Sequence, residues 1–177
     1  MKNSLFFIFG ILFLVSCSTS QPRKPIDPRP STTIFQDNIE ATKKMFQREE
    51  YKILEFIKRD SLKTYEISSS GFWYTYNTKI EAKEATPKPG DIVELAYDVR
   101  NLNDSVFYSK KYLGFKNYKV DKEDFISGIQ KGIKLMKVGE TITFVIPSYN
   151  AFGISGDGNK IGMNQTIKST VTLLNIK

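Results

Sequence analysis

Residues 125–153 constrain the fold of this chain more than any other run, because two different periodicities follow each other within it. In its first part, apolar residues recur every three or four positions, which predicts a short helix with one buried face. These residues are Phe125, Ile126, Ile129, Ile133 and Met136. Gly139 then interrupts the pattern at a position suited to a tight turn. From Thr141 to Ile146, apolar residues alternate with threonines, which predicts a strand with one apolar face.

Three other stretches predict further strands. Residues 91–100 alternate, with apolar side chains on one face and Glu94, Asp98 and Arg100 on the other. Residues 71–76 place three aromatic rings on one face of a strand, which favours packing on the core over a sugar-binding platform. Residues 166–176 predict the closing strand.

The run at 125–153 resembles the FKBP family of peptidyl-prolyl isomerases. That family carries a V-I-x-G-x-x-x-G-hydrophobic-x-x-M-x-x-G-E pattern, then a strand and an A-Y-G loop. The matching residues here are Phe125, Ile126, Gly128, Gly132, Met136, Gly139, Glu140, Ala151, Phe152 and Gly153. The resemblance covers residues 87–177 and extends toward Phe72. It implies an α+β fold, in which an antiparallel sheet of five to six strands wraps around one short helix.

The same resemblance implies a proline-binding catalytic pocket. Its expected members are Tyr97, Phe107, Tyr108, Phe125, Ile126, Ile129, Phe152 and Ile161, with Tyr118 on the strand before the helix. In the family, the backbone N–H at the Ile126 position receives a ligand carbonyl. For each residue alone, plain core packing is the alternative interpretation.

Four positions depart from the family pattern. Tyr108 replaces an aspartate, and Ile129 replaces a tryptophan. Phe152 replaces a tyrosine, and Ser169 replaces an aromatic residue. These departures imply weak binding of the macrolide inhibitors of the family and low isomerase activity.

The chain contains no histidine, which excludes imidazole catalysis and histidine-ligated metal. A phosphate-binding glycine loop between a strand and a helix is also absent from the sequence. Prolyl isomerisation needs none of these groups, because its barrier of about 18–20 kcal/mol is amide resonance. An apolar pocket that binds the twisted amide more tightly than the planar one is sufficient. We therefore expect no cofactor and no metal.

The N-terminal residues predict export. Lys2 and an apolar run over residues 5–15, too short for a bilayer core of about 30 Å, predict a signal peptide at residues 1–16. The ending Leu-Val-Ser-Cys17 resembles the bacterial lipobox, which implies acylation of Cys17, the single cysteine. An ordinary secretory signal is the alternative. Residues 17–34 predict a flexible tether. We expect a lipid-anchored protein of the cell envelope that faces the periplasm, with the outer membrane favoured and the membrane side left open.

A helix is predicted next, over residues 35–66, with Asp37 as its N-cap and Glu40 completing a capping box. This helix lies outside the resemblance. It can pack on the following domain, predicted at residues 67–177, or act as a spacer. A dimerising or partner-binding helix is a further alternative.

Three functions follow from these observations. The leading hypothesis is an exported prolyl isomerase that assists folding of proline-containing envelope proteins. The chain resembles the gliding-motility isomerase lipoproteins of the Bacteroidota, which implies clients in the gliding and secretion machinery. The alternatives are a catalytically weak chaperone or assembly adaptor, and a rigid body attached to a partner-binding helix. The net charge of +7 in an exported protein speaks against nucleic acid as a partner.

Overall fold

The computed structural model describes residues 31–82 and 84–177. They form three α-helices, α1 (Ser31–Arg59), α2 (Lys110–Leu113) and α3 (Ser127–Gly132). Their strands are β1 (Glu66–Ile67), β2 (Trp73–Thr78), β3 (Ile92–Tyr97), β4 (Val99–Arg100), β5 (Val106–Tyr108), β6 (Phe115–Lys119), β7 (Thr141–Ile146) and β8 (Ile167–Ile176). Short 3-10 turns follow α3 and β7.

The strands pair antiparallel in the order β1-β2-β7-β8-β3-β6, with β4 beside β8 and β5 beside β4. The central pair, β7 and β8, runs in continuous register from Thr141 opposite Thr172 to Ile146 opposite Ile167. This architecture confirms the predicted α+β fold, with six strands along the main path of the sheet.

The strand predicted over residues 91–100 is interrupted at Asp98. Asp98, predicted on the polar face of this strand, is only 3% exposed. Its carboxylate accepts hydrogen bonds from Arg100 Nε at 2.8 Å and from the backbone N–H of Thr170 at 2.9 Å. Its carbonyl accepts one from Ser169 Oγ at 2.6 Å. These donors replace water around the buried group.

The main core lies between one face of the sheet and α3. Its fully buried members include Phe72, Ile129, Phe144 and Ile146. Tyr74 and Tyr76 pack against the same core, as the aromatic strand predicted. Alternation along each strand turns Trp73 and Val145 to the opposite face.

Two glycines set the distance between α3 and β7. A Cβ atom at Gly128 would lie 2.5 Å from Ile146 Cγ2, and one at Gly132 would lie 2.5 Å from Phe144 Cε1. Both neighbours are fully buried, so they have no free space to move into. The glycines of the sequence motif therefore permit a contact between helix and sheet that any other residue would prevent.

Glu140, the glutamate of the motif, stabilises the turn before β7. Glu140 is 1% exposed, and its carboxylate accepts hydrogen bonds from the backbone N–H of Ile80 at 2.9 Å and of Lys137 at 2.8 Å. Gly139 precedes it with φ 87°, a left-handed conformation that glycine adopts without strain. This part of the motif therefore has a structural role.

Helix α1 differs from its prediction at both ends. It begins at Ser31 and ends at Arg59, so Asp37 lies inside the helix instead of at its N-cap. Thr42–Lys177 form one compact unit, to which residues 31–41 do not belong. Within the larger unit, Ile53 and Phe56 of the helix pack with Trp73 and Val145 on the sheet face opposite the main core. Part of α1 thus lies in the same compact unit as the sheet.

Residues 1–30 are outside the described part of the chain. The predicted signal peptide at 1–16, Cys17 and most of the predicted tether fall there. Among the residues that are described, no helix has both the length and the hydropathy needed to span a bilayer.

Gly132→Ala is expected to lower the free energy of unfolding by about 1–3 kcal/mol, because the new methyl group overlaps the Phe144 ring. Chemical denaturation measures the change. Gly162→Ala is the matched control, since a Cβ atom there meets nothing within 4 Å. Equal stability of the two variants would contradict the packing argument.

Candidate active site

The loop between β7 and β8 covers one side of the main core. We call residues 147–166 the flap; it connects Ile146 to Ile167, which are paired across the two strands. Two predicted site residues lie on it. Ile161 is buried, and Phe152 is half-buried.

The structure brings all eight predicted site residues into one hydrophobic cluster. The four buried members come from β3, the start of α3 and the flap. They are Tyr97, Ile126, Ile129 and Ile161. The four half-buried members pack against these from β5, the approach to α3 and the flap. They are Phe107, Tyr108, Phe125 and Phe152. The site thus consists of four half-buried aromatic residues packed against one buried tyrosine and three buried isoleucines.

Phe125 is the aromatic contact centre of this cluster. Its ring meets Tyr97 edge-on, with 5.2 Å between centroids and 85° between planes. On its other side lies Tyr118, with 5.3 Å between centroids. Tyr118 is fully buried, so it supports Phe125 from the core. Burial raises the pKa of the Tyr97 hydroxyl, which keeps it neutral and able to donate.

A backbone donor lies beside these rings. Ile126 directly precedes the first residue of α3, and its carbonyl accepts the first helical bond, from Gln130 N at 2.9 Å. Within the described residues, the N–H of Ile126 has no acceptor. The residue is 9% exposed. An amide carbonyl that enters the cluster therefore finds a hydrogen-bond donor at its centre.

The departure at Tyr108 replaces the expected β5 carboxylate by one from the flap. The Tyr108 hydroxyl donates a hydrogen bond to Asp157 Oδ2. Asp157 Oδ1 accepts from the backbone N–H groups of Asn159 at 2.9 Å and Ile161 at 2.8 Å. The Asp157 bond raises the pKa of Tyr108. Burial raises the pKa of the Asp157 carboxyl, but its hydrogen bonds outweigh this effect, so the pKa lies below its ordinary value.

A lysine makes the second contact between the flap and β5. Lys160 Nζ donates to the carbonyl of Phe107 at 3.1 Å. The same ammonium lies 5.0 Å from the ring centre of Tyr108 and 5.2 Å from that of Tyr112. Cations bind aromatic faces at such distances. The flap is therefore attached to β5 through the Tyr108 hydroxyl, the Phe107 carbonyl and the Tyr108 ring, and to α2 through the Tyr112 ring.

The sequence prediction missed Asp157 and Lys160. The Asp-Gly-Asn turn at 157–159 was visible, but its partner Tyr108 lies 49 residues away. The other departures agree with a less aromatic site. Ile129 is completely buried in the cluster, and Ser169 is buried with its hydroxyl bonded to Asp98.

Comparison with known proteins agrees with this geometry. Residues 83–174 match the family model described as FKBP-type peptidyl-prolyl cis-trans isomerase. A relative from Neisseria meningitidis serogroup B (strain ATCC BAA-335 / MC58), described as probable FKBP-type peptidyl-prolyl cis-trans isomerase FkpA, is 35% identical over 118 residues. That alignment covers 67% of this chain but only 41% of the relative.

Two crystal structures share the fold. FkpA from Escherichia coli superposes with a TM-score of 0.60 at 24% identity, over 100% of this chain and 82% of that one. A peptidyl-prolyl cis-trans isomerase from Pseudomonas syringae pv. tomato DC3000 also has a TM-score of 0.60, at 22% identity, over 77% of this chain and 96% of that one.

Tyr108→Phe is expected to raise the pKa of Asp157 toward its ordinary value, because the carboxylate loses a donor. A carboxyl group with a lowered folded-state pKa stabilises the fold above its unfolded pKa, and this contribution is lost as the pH falls through the folded value. In the variant, the flap therefore loosens at a higher pH during acidification. Carbon-detected NMR titration of the Asp157 carboxyl measures the shift.

The control for this prediction is Tyr112→Phe. It removes the same atom from the ring stacked on Tyr108, and that hydroxyl is not among the described partners of Asp157. An unchanged Asp157 pKa in Tyr108→Phe would contradict the role given to this bond.

Proposed function

The chain belongs to the family of FKBP-type peptidyl-prolyl cis-trans isomerases, and on that premise we propose that it catalyses isomerisation of the peptide bond before proline in polypeptides. The observation that carries the proposal is the assembly of Tyr97, Phe107 and Phe125 in one cluster with Ile126, whose N–H has no acceptor among the described residues.

The proposed mechanism needs no acid, base or cofactor. The planar amide before proline is more polar than its twisted transition state, so water stabilises the planar form more. Contact with apolar rings removes that water and favours the twisted form. The N–H of Ile126 orients a neighbouring carbonyl of the substrate. Each tenfold acceleration requires about 1.4 kcal/mol of preferential transition-state binding.

We further propose that the protein is exported and attached to the cell envelope through a lipid on Cys17. The lipobox-like ending and the single cysteine support this proposal. The substrates are then proline-containing envelope polypeptides, in a periplasm-facing position with the outer membrane favoured. The resemblance to the gliding-motility lipoproteins of the Bacteroidota supports clients in the gliding and secretion machinery.

A second candidate function is a catalytically weak chaperone or assembly adaptor. Two observations favour it: the floor position holds Ile129 instead of a large ring, and Ser169 turns a hydroxyl to Asp98 where the family has an aromatic residue. Both changes reduce the aromatic surface available to a proline ring, while the cluster keeps its apolar character.

Phe107→Ala is expected to lower kcat/KM for a proline tetrapeptide by about tenfold or more, because about 1.4 kcal/mol of transition-state contact corresponds to that factor. A protease-coupled assay and the refolding of a protein limited by trans-to-cis isomerisation measure it with the full chain. Circular dichroism establishes that each variant is folded. Phe115→Ala is the matched control, since this ring on the neighbouring β6 is 71% exposed.

The two outcomes separate the candidate functions. Activity that is lost in Phe107→Ala and retained in Phe115→Ala supports catalysis at this cluster. A folded wild-type chain without acceleration would reject the isomerase and leave the adaptor, which proline-peptide binding then tests.

Cys17→Ser is expected to abolish incorporation of labelled palmitate in the native organism and to move the protein from the detergent phase to the aqueous phase. The thiol is the acceptor of the lipid, and stable anchoring requires at least two hydrophobic chains. Ser16→Ala, beside the acceptor, is the control. Labelling that persists in Cys17→Ser would contradict lipidation at this residue.

A further inference from the structure

Helix α1 places a carboxylate against both ends of the flap. Glu49 is 8% exposed. Its Oε1 accepts the backbone N–H of Ser148 at 2.6 Å and the hydroxyl of Thr166 at 2.5 Å. Its Oε2 accepts the hydroxyl of Ser148 at 2.8 Å. Ser148 is the second residue of the flap and Thr166 is the last, so one side chain connects the points where the flap leaves and rejoins the sheet.

This arrangement is costly unless each donor is in place. Burying a carboxylate is unfavourable, and hydrogen bonds to the charged oxygens must compensate. All three donors of Glu49 are neutral groups of the flap. The helix therefore stabilises the flap in one position, and an opening of the flap at either end would leave a buried charge without donors.

Further hydrogen bonds link Ser148 to the residues beside Phe152, which is a predicted site residue. The carbonyl of Ser148 accepts the backbone N–H groups of Ala151 at 2.9 Å and of Gly153 at 2.8 Å. These two residues flank Phe152. The carbonyl of Gly153 in turn accepts the N–H of Asn164 at 2.9 Å, which joins the two arms of the flap. Glu49 is thus linked through Ser148 to the two residues on either side of Phe152.

Phe56 of α1 is an example of a residue that packs on the sheet and not on the flap. Phe56 lies two helical turns further along the same face and packs with Trp73 and Val145, outside the flap. Its ring also lies 5.1 Å from Lys168 Nζ. Phe56 therefore contributes to the attachment of the helix without touching the loop that carries Phe152.

We propose that Glu49 is a positioning residue for the proline site: through Ser148 and Thr166 it holds the flap so that Phe152 and Ile161 stay against the aromatic cluster. Helix α1 then contributes to the geometry of the site and is not only a spacer. This inference rests on the proposed isomerase function, and it names a residue outside the family-matched segment that controls the same site.

The test compares Glu49→Ala, Glu49→Gln and Phe56→Leu in the full chain. Glu49→Ala removes all three bonds and is expected to lower kcat/KM for a proline tetrapeptide about tenfold, because small displacements of site residues have effects of this size. Hydrogen exchange of the Ala151 and Gly153 amides is expected to accelerate in the same variant.

The two other variants separate positioning from general stability. Glu49→Gln keeps an oxygen for Ser148 N–H and Thr166, and its amide can donate to the Ser148 hydroxyl. It is therefore expected to keep kcat/KM within about threefold of wild type. Phe56→Leu is expected to lower the unfolding temperature while kcat/KM and flap exchange of the folded protein stay unchanged. All measurements are made at a temperature where every variant is folded.

The inference is overturned if Glu49→Ala loosens the flap amides without a loss of kcat/KM, or if Phe56→Leu loses as much activity as Glu49→Ala. An inactive wild-type chain overturns the proposed function and this inference with it. An active wild type with an unaffected Glu49→Ala variant overturns this inference alone.

Discussion

The close contact between α3 and β7 is the constraint on which the rest of the structure depends. It exists because Gly128 and Gly132 have no side chain where Ile146 and Phe144 lie. At this distance α3 packs directly on the sheet, and Ile129 of the helix is completely buried. A bulkier residue would move the helix outward and open the cluster, since buried aromatic and aliphatic side chains at native density have little space to yield.

The site combines an apolar side with a polar one. β3, β5 and α3 contribute side chains held by packing, whereas the flap pairs with no strand in the described part of the chain. The side chains of Tyr108, Lys160 and Glu49 make the hydrogen bonds that join the flap to β5 and α1. The flap is therefore the part of the site that solvent conditions and mutations affect most directly.

The departures from the family pattern change individual residues of the site, but the site remains largely apolar. The carboxylate expected on β5 is replaced by Asp157 of the flap, which receives the Tyr108 hydroxyl. Ile129 and Phe152 remain apolar in the cluster. Apolar rings and one backbone donor, the two elements that the proposed mechanism uses, are thus present, whereas hydroxyl and indole donors are fewer.

The sequence by itself indicated the α+β class and the α3–β7 motif, because these depend on local periodicity, and the resemblance of that motif pointed to the family. The same resemblance named eight site residues, which the structure gathers in one hydrophobic cluster. The sequence did not determine the burial of Asp98, the helical position of Asp37 within α1, or the contacts of Asp157 and Glu49. Glu49 occupies a position on the apolar stripe that also contains Ile53 and Phe56, yet a charged residue there predicts exposure. Only the tertiary structure brings Oε1 of Glu49 to 2.5 Å from the hydroxyl of Thr166, a residue 117 positions further along the chain. A buried charge is stable only where distant donors converge on it, and that convergence exists only in the folded chain.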